Sequence, residues 1–261
     1  MSPFAALHGL RVGCVQYLNA RPLIVPYDGE VVFEHPARLA DLLASGEIDV
    51  ALVPSFEALR QPVFPIVDGV AIASRGPVYS VFLAHCRPLS EVRAVSLDPA
   101  SRTSTNLLRC LLAEFHGLNP VFDSSGKSRP EGDRGLLLIG NQAIRFRELA
   151  REGVHYLDLG EEWLARTGLP FVYALWQIRP EIPNPGAVAG ALRAIKCAGL
   201  RRVREIGRLQ RDFDPAFAER YLTRHIKFDL GGDEKAGLER FRSLLQKQGL
   251  IGCSEVPLHF V

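Results

Sequence analysis

The sequence VGCVQYLNARPL, residues 12 to 23, joins a short apolar run to a polar turn. Val12 to Val15 have the composition of a buried parallel strand, and Pro22 cannot continue a strand ladder because it has no backbone N–H. Ligands of open α/β sheets bind where the strands end. The Asn19 amide offers two donors and one acceptor without charge, which suits an oxygen-rich small molecule. The alternative is that Asn19 only holds its own turn.

Length and composition indicate an ordinary globular protein. The 261 residues suffice for one large domain or two smaller α/β lobes, and 47% of them are hydrophobic and 23% charged. A net charge of +2 argues against a general polyanion binder. No stretch approaches 18 consecutive apolar residues, and the first ten residues lack the pattern of a signal peptide. We therefore expect a cytoplasmic protein that binds neither nucleic acid nor membrane.

The cysteines indicate neither a metal site nor a disulfide framework. They are odd in number and isolated from one another, with no Cys-x-x-Cys pair or Cys/His cluster: Cys14, Cys86, Cys110, Cys197 and Cys253. Cys14 lies in an apolar run and is expected to act as a small buried hydrophobe. Catalysis by cysteine would need a nearby base, which the sequence does not reveal.

The next segment predicts a βαβ unit. Residues 31–33 (VVF) form a short strand, residues 36–44 a helix with leucines on one face, and residues 48–54 (IDVALVP) a buried strand. Ser55 follows this strand, where a second wall of a ligand cleft is expected. Glu57 is explained more simply by its position near a helix N-terminus.

Residues 63–86 predict two or three strands interrupted by the turn Ser74-Arg75-Gly76-Pro77. The second half alternates apolar and small residues, so Ser80 could face a cleft from one side of an extended segment. A serine in a strand more often only saves space. Ser80 alone is therefore weak support for a site.

A hydroxyl-rich turn precedes the helix predicted within residues 94–115. The strand AVSL runs into Asp98 and then into Ser101, Thr103 and Ser104, ahead of an amphipathic leucine helix. Free backbone N–H groups, hydroxyls and the positive end of a helix dipole suit a carboxylate. The alternative is simple N-capping by Ser101 or Thr103, but one cap does not need three hydroxyls.

The rest of the chain repeats this pattern and then becomes helical. The strand GLLLIG, residues 135–140, ends at Asn141, and residues 158–176 predict a helix followed by a long buried strand. Helices are predicted over residues 187–211, 215–222 and 235–248. The seven basic residues between 193 and 211 have no interleaved aromatic residues, which favours a solvated basic face over a nucleic-acid site.

Seven blocks, in one order along nearly the whole chain, resemble the chorismate dehydratase family of the futalosine route to menaquinone. The blocks are YLNARPL (17–23), GEIDVALVPSFEAL (46–59), IASRGPVYSV (72–81), SLDPASRTS (96–104), LLLIGNQA (136–143), DLGEEWLARTGLPFVYALW (158–176) and YLTRHIKFDL (221–230). Family members usually have Asp at the position of Asn141, so this chain lacks one charge and one candidate base.

The resemblance implies an α/β fold of the type II periplasmic-binding-protein kind, with two lobes, mostly parallel sheets and a central cleft. Residues 1–85 and 177–261 would form the first lobe, the second part mainly helical. Residues 86–176 would form the second lobe with the crossovers, which we place near residues 83–92 and 170–176.

The implied activity is that of a lyase, which dehydrates chorismate to 3-[(1-carboxyvinyl)oxy]benzoate without a cofactor or metal. Chorismate would be the only partner, and the protein a monomer or weak homodimer. The implied catalytic residues are Asn19 and Ser80, and the implied substrate-binding residues are Tyr17, Arg21, Ser55, Ser101, Thr103, Ser104 and Asn141. The main alternative is a non-catalytic protein of the same fold that binds small carboxylates. A sensor domain of a transcription regulator is disfavoured because no helix-turn-helix precedes residue 12.

Overall fold

The computed structural model describes residues 4–97, 101–124, 126–149, 152–253 and 256–261. The strands are β1 Val12–Cys14, β2 Val31–Phe33, β3 Val50–Pro54, β4 Ile66–Ser74, β5 Val81–His85, β6 Ala94–Ser96, β7 Val121–Asp123, β8 Arg134–Ile139, β9 His155–Asp158 and β10 Phe171–Ile178. The helices are α1 Pro36–Ser45, α2 Ser55–Arg60, α3 Arg102–His116, α4 Gly140–Glu148, α5 Leu159–Thr167, α6 Pro185–Arg201, α7 Val203–Leu209, α8 Pro215–Arg220 and α9 Gly232–Lys247. A 3-10 helix covers Leu18–Leu23, and a π-helical turn covers Tyr221–His225.

The strands form two five-stranded sheets with one shared topology. The order is β2-β1-β3-β10-β4 in the first sheet and β7-β6-β8-β5-β9 in the second. In the first sheet β1 is parallel to β2 and β3, while β10 is antiparallel to β3 and β4, so four strands point one way and β10 the other. In the second sheet β5 is the reversed strand. The prediction of two lobes with mostly parallel sheets is confirmed. We call the two sheets with their helices the first lobe and the second lobe.

The chain passes between the lobes earlier than the sequence suggested. Strand β5 pairs with β8 and β9 of the second sheet, and β10 pairs with β3 and β4 of the first. The crossovers are therefore residues 75–80 and 168–170, not residues near 83–92 and 170–176. The lobe boundaries predicted at residues 85 and 176 differ from those in the structure. The reason is that the strands that pair with β5 lie more than 50 positions away along the chain. An alternating run does not reveal which sheet it joins.

The apolar runs predicted as strands form the cores of both lobes. All five residues of β3 and all five of β5 are buried. Helix α6 packs against β4 and against the 3-10 helix Leu18–Leu23. This packing needs Gly199, because a Cβ there would collide with the carbonyl oxygen of Pro22. A glycine in the helical third of the chain thus fixes the turn that carries Asn19.

Candidate functional site

A cleft lies between the two lobes at the ends of β1, β3 and β8. It holds about 590 Å³ of empty space, its open mouth included. Apolar side chains from both lobes form most of the wall: Val15, Pro36, Leu52, Val53, Pro54, Ile72, Val78, Val81, Ile139 and Ala174. The polar and aromatic side chains in the wall are few: Tyr17, Asn19, Ser101, Arg102, Thr103, Ser104 and Tyr173. Five of the predicted site residues, Tyr17, Asn19, Ser101, Thr103 and Ser104, therefore meet in one cleft.

Two polar atoms in this cleft are buried without a hydrogen-bond partner among the described residues. They are Oδ1 of Asn19, from the first lobe, and Oγ of Ser101, from the second. Leaving a buried polar atom unpaired costs roughly 1 to 3 kcal/mol, so such atoms call for an explanation. A ligand between the lobes would satisfy both. The Ser101 hydroxyl also makes no capping hydrogen bond to α3, contrary to the simple N-cap alternative.

The start of α3 gives one end of the cleft a positive character. The first three residues of this 15-residue helix, Arg102, Thr103 and Ser104, all line the cleft. Their end of the helix carries the positive pole of the dipole, and anions are stabilised there. The guanidinium group of Arg102 also donates to Glu57 Oε1 at 3.0 Å and to Asp41 Oδ1 at 2.9 Å in the first lobe. The cleft thus combines an apolar body with one end where the helix dipole favours an anion, while the charge of Arg102 there is already paired with two carboxylates.

Ser80 supports the site from behind rather than lining the cleft. Its side chain is fully buried, and its Oγ lies 2.7 Å from the hydroxyl oxygen of Tyr221. Burial raises the pKa of Tyr221 above its ordinary value, and hydrogen bonds with Ser80 and Asn19 oppose that rise only in part. The phenol therefore stays neutral. The Tyr221 hydroxyl, itself held by Ser80, binds the Asn19 amide, whose Oδ1 has no partner among the described residues.

Ser55 is also engaged inside the first lobe. It is fully buried and donates its hydroxyl to the carbonyl oxygen of Val172 at 2.7 Å. The hydroxyl ties the start of α2 to β10, so the structure does not bring Ser55 to the cleft as the sequence suggested. The position of Ser55 at a strand end was misleading because a polar residue there can bind either a ligand or a neighbouring strand.

Arg21 and Asn141 line an outer groove that adjoins the cleft. Val15 and Tyr17 line both spaces. In the groove, Arg21 and Arg145 both approach Asp212, at 3.8 and 2.8 Å. The Oδ1 atom of Asn141 accepts a hydrogen bond from the backbone N–H of Leu18 at 2.9 Å. These two predicted substrate-binding residues are therefore near the site but outside the inner cleft.

Three residues of the site were not singled out in the sequence, although each lies in a block that carries the family resemblance. Arg102 stands in the hydroxyl-rich turn. Tyr173 interrupts an apolar strand, and its hydroxyl lies 3.1 Å from that of Ser74, while burial raises its pKa well above the ordinary value. Tyr221 opens the last block, but its role could not be predicted because its partner Ser80 is 141 positions away.

Two further kinds of feature concern the described parts of the chain, a metal site and a membrane-spanning helix. No group of three or more His, Cys, Asp or Glu side chains within them could hold a metal ion. None of the helices described is both long and apolar enough to cross a membrane.

The fold and the cleft define a two-lobed protein with the periplasmic-binding-protein fold. A protein from Candida albicans, described as exhibiting the generic periplasmic binding protein fold, superimposes with a TM-score of 0.64 at 11% identity, over 94% of this chain and 92% of its own. A protein from Archaeoglobus fulgidus gives a TM-score of 0.72 at 16% identity, over 94% of this chain and all of its own. These similarities establish the fold alone.

The chain belongs to the menaquinone biosynthesis family, whose model matches residues 10–247. It is 33% identical over 257 residues to the chorismate dehydratase of Thermus thermophilus, covering 90% of this chain and 94% of that protein. It is 23% identical over 227 residues to the chorismate dehydratase of Campylobacter jejuni, covering 86% and 88%. The family resemblance found in the sequence is confirmed.

Proposed function

We propose that this protein dehydrates chorismate to 3-[(1-carboxyvinyl)oxy]benzoate in the futalosine route of menaquinone biosynthesis. The observation that carries the proposal is a pair of buried atoms, Asn19 Oδ1 and Ser101 Oγ, which have no partner among the described residues and lie on opposite sides of a mostly apolar cleft. Chorismate has an apolar ring with a hydroxyl and two carboxylates, which matches this wall. The names of the two relatives support the same activity.

The reaction asks little of the protein. A ring C–H bond and the neighbouring C–O bond break, the C–H electron pair becomes part of the ring, and hydroxide leaves and takes up a proton to form water. The ring becomes aromatic, which drives the elimination. The protein must orient the substrate, anchor its carboxylates and exclude water from the closed cleft.

Different residues of the cleft meet these requirements through different chemical groups. The start of α3, with the hydroxyl of Ser101, anchors a carboxylate. The Oδ1 atom of Asn19 accepts a hydrogen bond from the substrate hydroxyl and orients it for departure. No Asp, Glu, His or Lys is among the described residues that line the cleft. In this proposal a carboxylate of the substrate itself takes the ring proton.

Incubation of the purified protein with chorismate tests the proposal. We expect an aromatic product, identified by ultraviolet absorbance and by a mass that is lower than chorismate by one water. Binding of chorismate without conversion would contradict the proposal and favour a non-catalytic carboxylate-binding protein. That alternative has a precedent in the fold, because the periplasmic aliphatic sulphonate binding protein of Escherichia coli superimposes with a TM-score of 0.53 at 12% identity.

The proposal also holds that the enzyme is cytoplasmic, needs no cofactor and is a monomer or weak homodimer.

A further inference from the structure

Two hydrogen bonds join backbone of the first lobe to side chains of the second. The N–H of Leu18 donates to Asn141 Oδ1 at 2.9 Å, and the N–H of Phe56 donates to Thr103 Oγ1 at 3.1 Å. Both donors follow strands of the first sheet, and both acceptors lie in the first turns of helices that follow strands of the second. The two bonds exist only when the lobes are in this relative position.

The two bonds connect the lobes crosswise. Strand β1 is second in its sheet and β6 is second in the other sheet. Strands β3 and β8 are third in their respective sheets. The segment after β1 binds the helix after β8, and the segment after β3 binds the helix after β6. Movement of the two lobes away from each other would lengthen both bonds. Together they define one closed arrangement of the lobes.

Each bond lies next to one of the two unpartnered atoms of the cleft. Leu18 is the neighbour of Asn19, and Thr103 is two residues beyond Ser101. Leu18 is 1% exposed and Phe56 8%, so an N–H that loses its acceptor there is poorly placed to find water. The ion pair of Arg102 with Glu57 runs beside the Phe56 bond and ties the same two helices, α2 and α3.

We propose that Asn141 and Thr103 are positioning residues, which hold the backbone of the first lobe so that Asn19 and Ser101 face each other across the substrate. The proposal rests on the proposed function for the identity of the substrate. The sequence had suggested that both residues bind substrate directly. In the structure, an oxygen atom of each side chain accepts a hydrogen bond from the opposite lobe.

Amide hydrogen exchange measured by NMR on the whole protein tests these contacts without reference to the reaction. In Asn141→Ala the Leu18 amide should exchange at least about 5-fold faster than in the wild type, and in Thr103→Val the Phe56 amide should do so. Thr105→Val is the matched control in the same helix, because its hydroxyl makes no hydrogen bond among those described. In this control the exchange of both amides should stay unchanged.

Kinetics with chorismate add a second readout. Asn141→Ala and Thr103→Val should lower kcat/KM by about 5-fold to 150-fold, mostly through kcat, because an unpaired buried N–H disturbs the closed site. Asn141→Asp keeps the acceptor at a helix N-terminus and should stay within about 3-fold of the wild type. The melting temperature of each variant shows whether it folds.

Two results would overturn the proposal. The first is unchanged exchange of Leu18 and Phe56 in folded variants that have lost affinity for chorismate, which would make Asn141 and Thr103 direct ligands. The second is failure of Asn141→Asp to restore turnover while Leu18 stays protected. If chorismate proves not to be the substrate, the exchange data still decide whether the contacts hold the lobes together. Failure of the proposed function is thus distinguishable from failure of this inference.

Discussion

The hydroxyl of Ser80 lies 2.7 Å from the hydroxyl of Tyr221, although the two residues are 141 positions apart. Ser80 lies in the first crossover between the lobes, and Tyr221 begins the π-helical turn after α8. Such turns are frequent at functional sites, because the inserted residue re-aims the side chains around it. Here the turn brings a neutral phenol behind Asn19. The crossover and the helical third of the chain therefore act on the cleft together.

Tyr221→Phe should lower turnover of chorismate by about 5-fold to 150-fold, because it leaves the hydroxyl of Ser80 and the amide of Asn19 without their buried partner. Steady-state kinetics and the melting temperature measure the effect. Tyr156→Phe is the matched control, since the Tyr156 hydroxyl is buried and has no partner among the described residues. The control should keep full activity and stability. Equal effects of the two substitutions would contradict a special role of Tyr221.

Asn19→Leu should remove most of the turnover and leave the protein folded. Leucine has a similar size but can neither bind Tyr221 nor accept a hydrogen bond from substrate, and the unpaired partners cost roughly 1 to 3 kcal/mol. The kcat of the variant and its circular dichroism spectrum are the measurements. Activity near that of the wild type would mean that Asn19 only shapes its turn.

Ser101→Ala should weaken chorismate binding while the melting temperature stays equal or rises. The Ser101 Oγ is buried and has no partner among the residues that the structure describes, so its removal relieves a desolvation cost in the free protein. In the complex, the same change loses a charge-assisted hydrogen bond that contributes roughly 1.5 to 3 kcal/mol. Calorimetric titration and thermal melting separate the two effects.

Ser104→Ala tests the neighbouring hydroxyl in the same way. If these hydroxyls serve α3 as caps, each substitution would instead lower stability by roughly 0.5 to 2 kcal/mol and spare binding. Phosphate and sulfate should compete with chorismate for the wild-type site, because a helix N-terminus attracts anions of any shape. Lost stability with unchanged affinity in both variants would rule out a carboxylate site at this turn.

Gly140→Ala should raise KM for chorismate, because a Cβ there would lie 3.0 Å from the ring of Tyr17, which lines the cleft. Gly140 has a φ of 61°, so alanine also costs about 1 to 2 kcal/mol of backbone strain. Gly117→Ala is the matched control: its φ is 64°, and nothing lies within 4 Å of its added Cβ. Both variants should lose similar stability, but only Gly140→Ala should affect catalysis. If KM rises in both variants, the increase in KM comes from lost stability and not from Tyr17.

Labelling with iodoacetamide at pH 8 should modify Cys197 and Cys253, which are exposed, and spare Cys14 and Cys110. Burial raises the pKa of both spared thiols to about 12, so almost none of either is thiolate at pH 8. Peptide mass spectrometry identifies the modified sites. Turnover should survive the labelling, since no cysteine lines the described cleft. Rapid modification of Cys14 would mean that the core of the first lobe opens.

Local composition was enough to locate most of the strands, the turns beside them and most of the cleft, but not β7 and β9, two short strands at the edges of the second sheet. The run at residues 12–15 and the turn that follows it, and likewise the strand before Ser101, were readable because apolar strands and polar strand ends differ within a few residues. The same reasoning placed Tyr17, Asn19, Ser101, Thr103 and Ser104 at strand ends, where the structure brings them together.

Only the tertiary structure decided which lobe β5 joins and what each polar side chain binds. Ser55, Ser80 and Asn141 look alike in sequence, as polar residues beside apolar strands. Ser55 binds β10 within its own lobe, Ser80 binds Tyr221, and Asn141 binds the opposite lobe. These partners lie 117, 141 and 123 positions away. A hydrogen bond is satisfied by whichever donor or acceptor the fold brings within about 3 Å, and that proximity is a property of the assembled lobes.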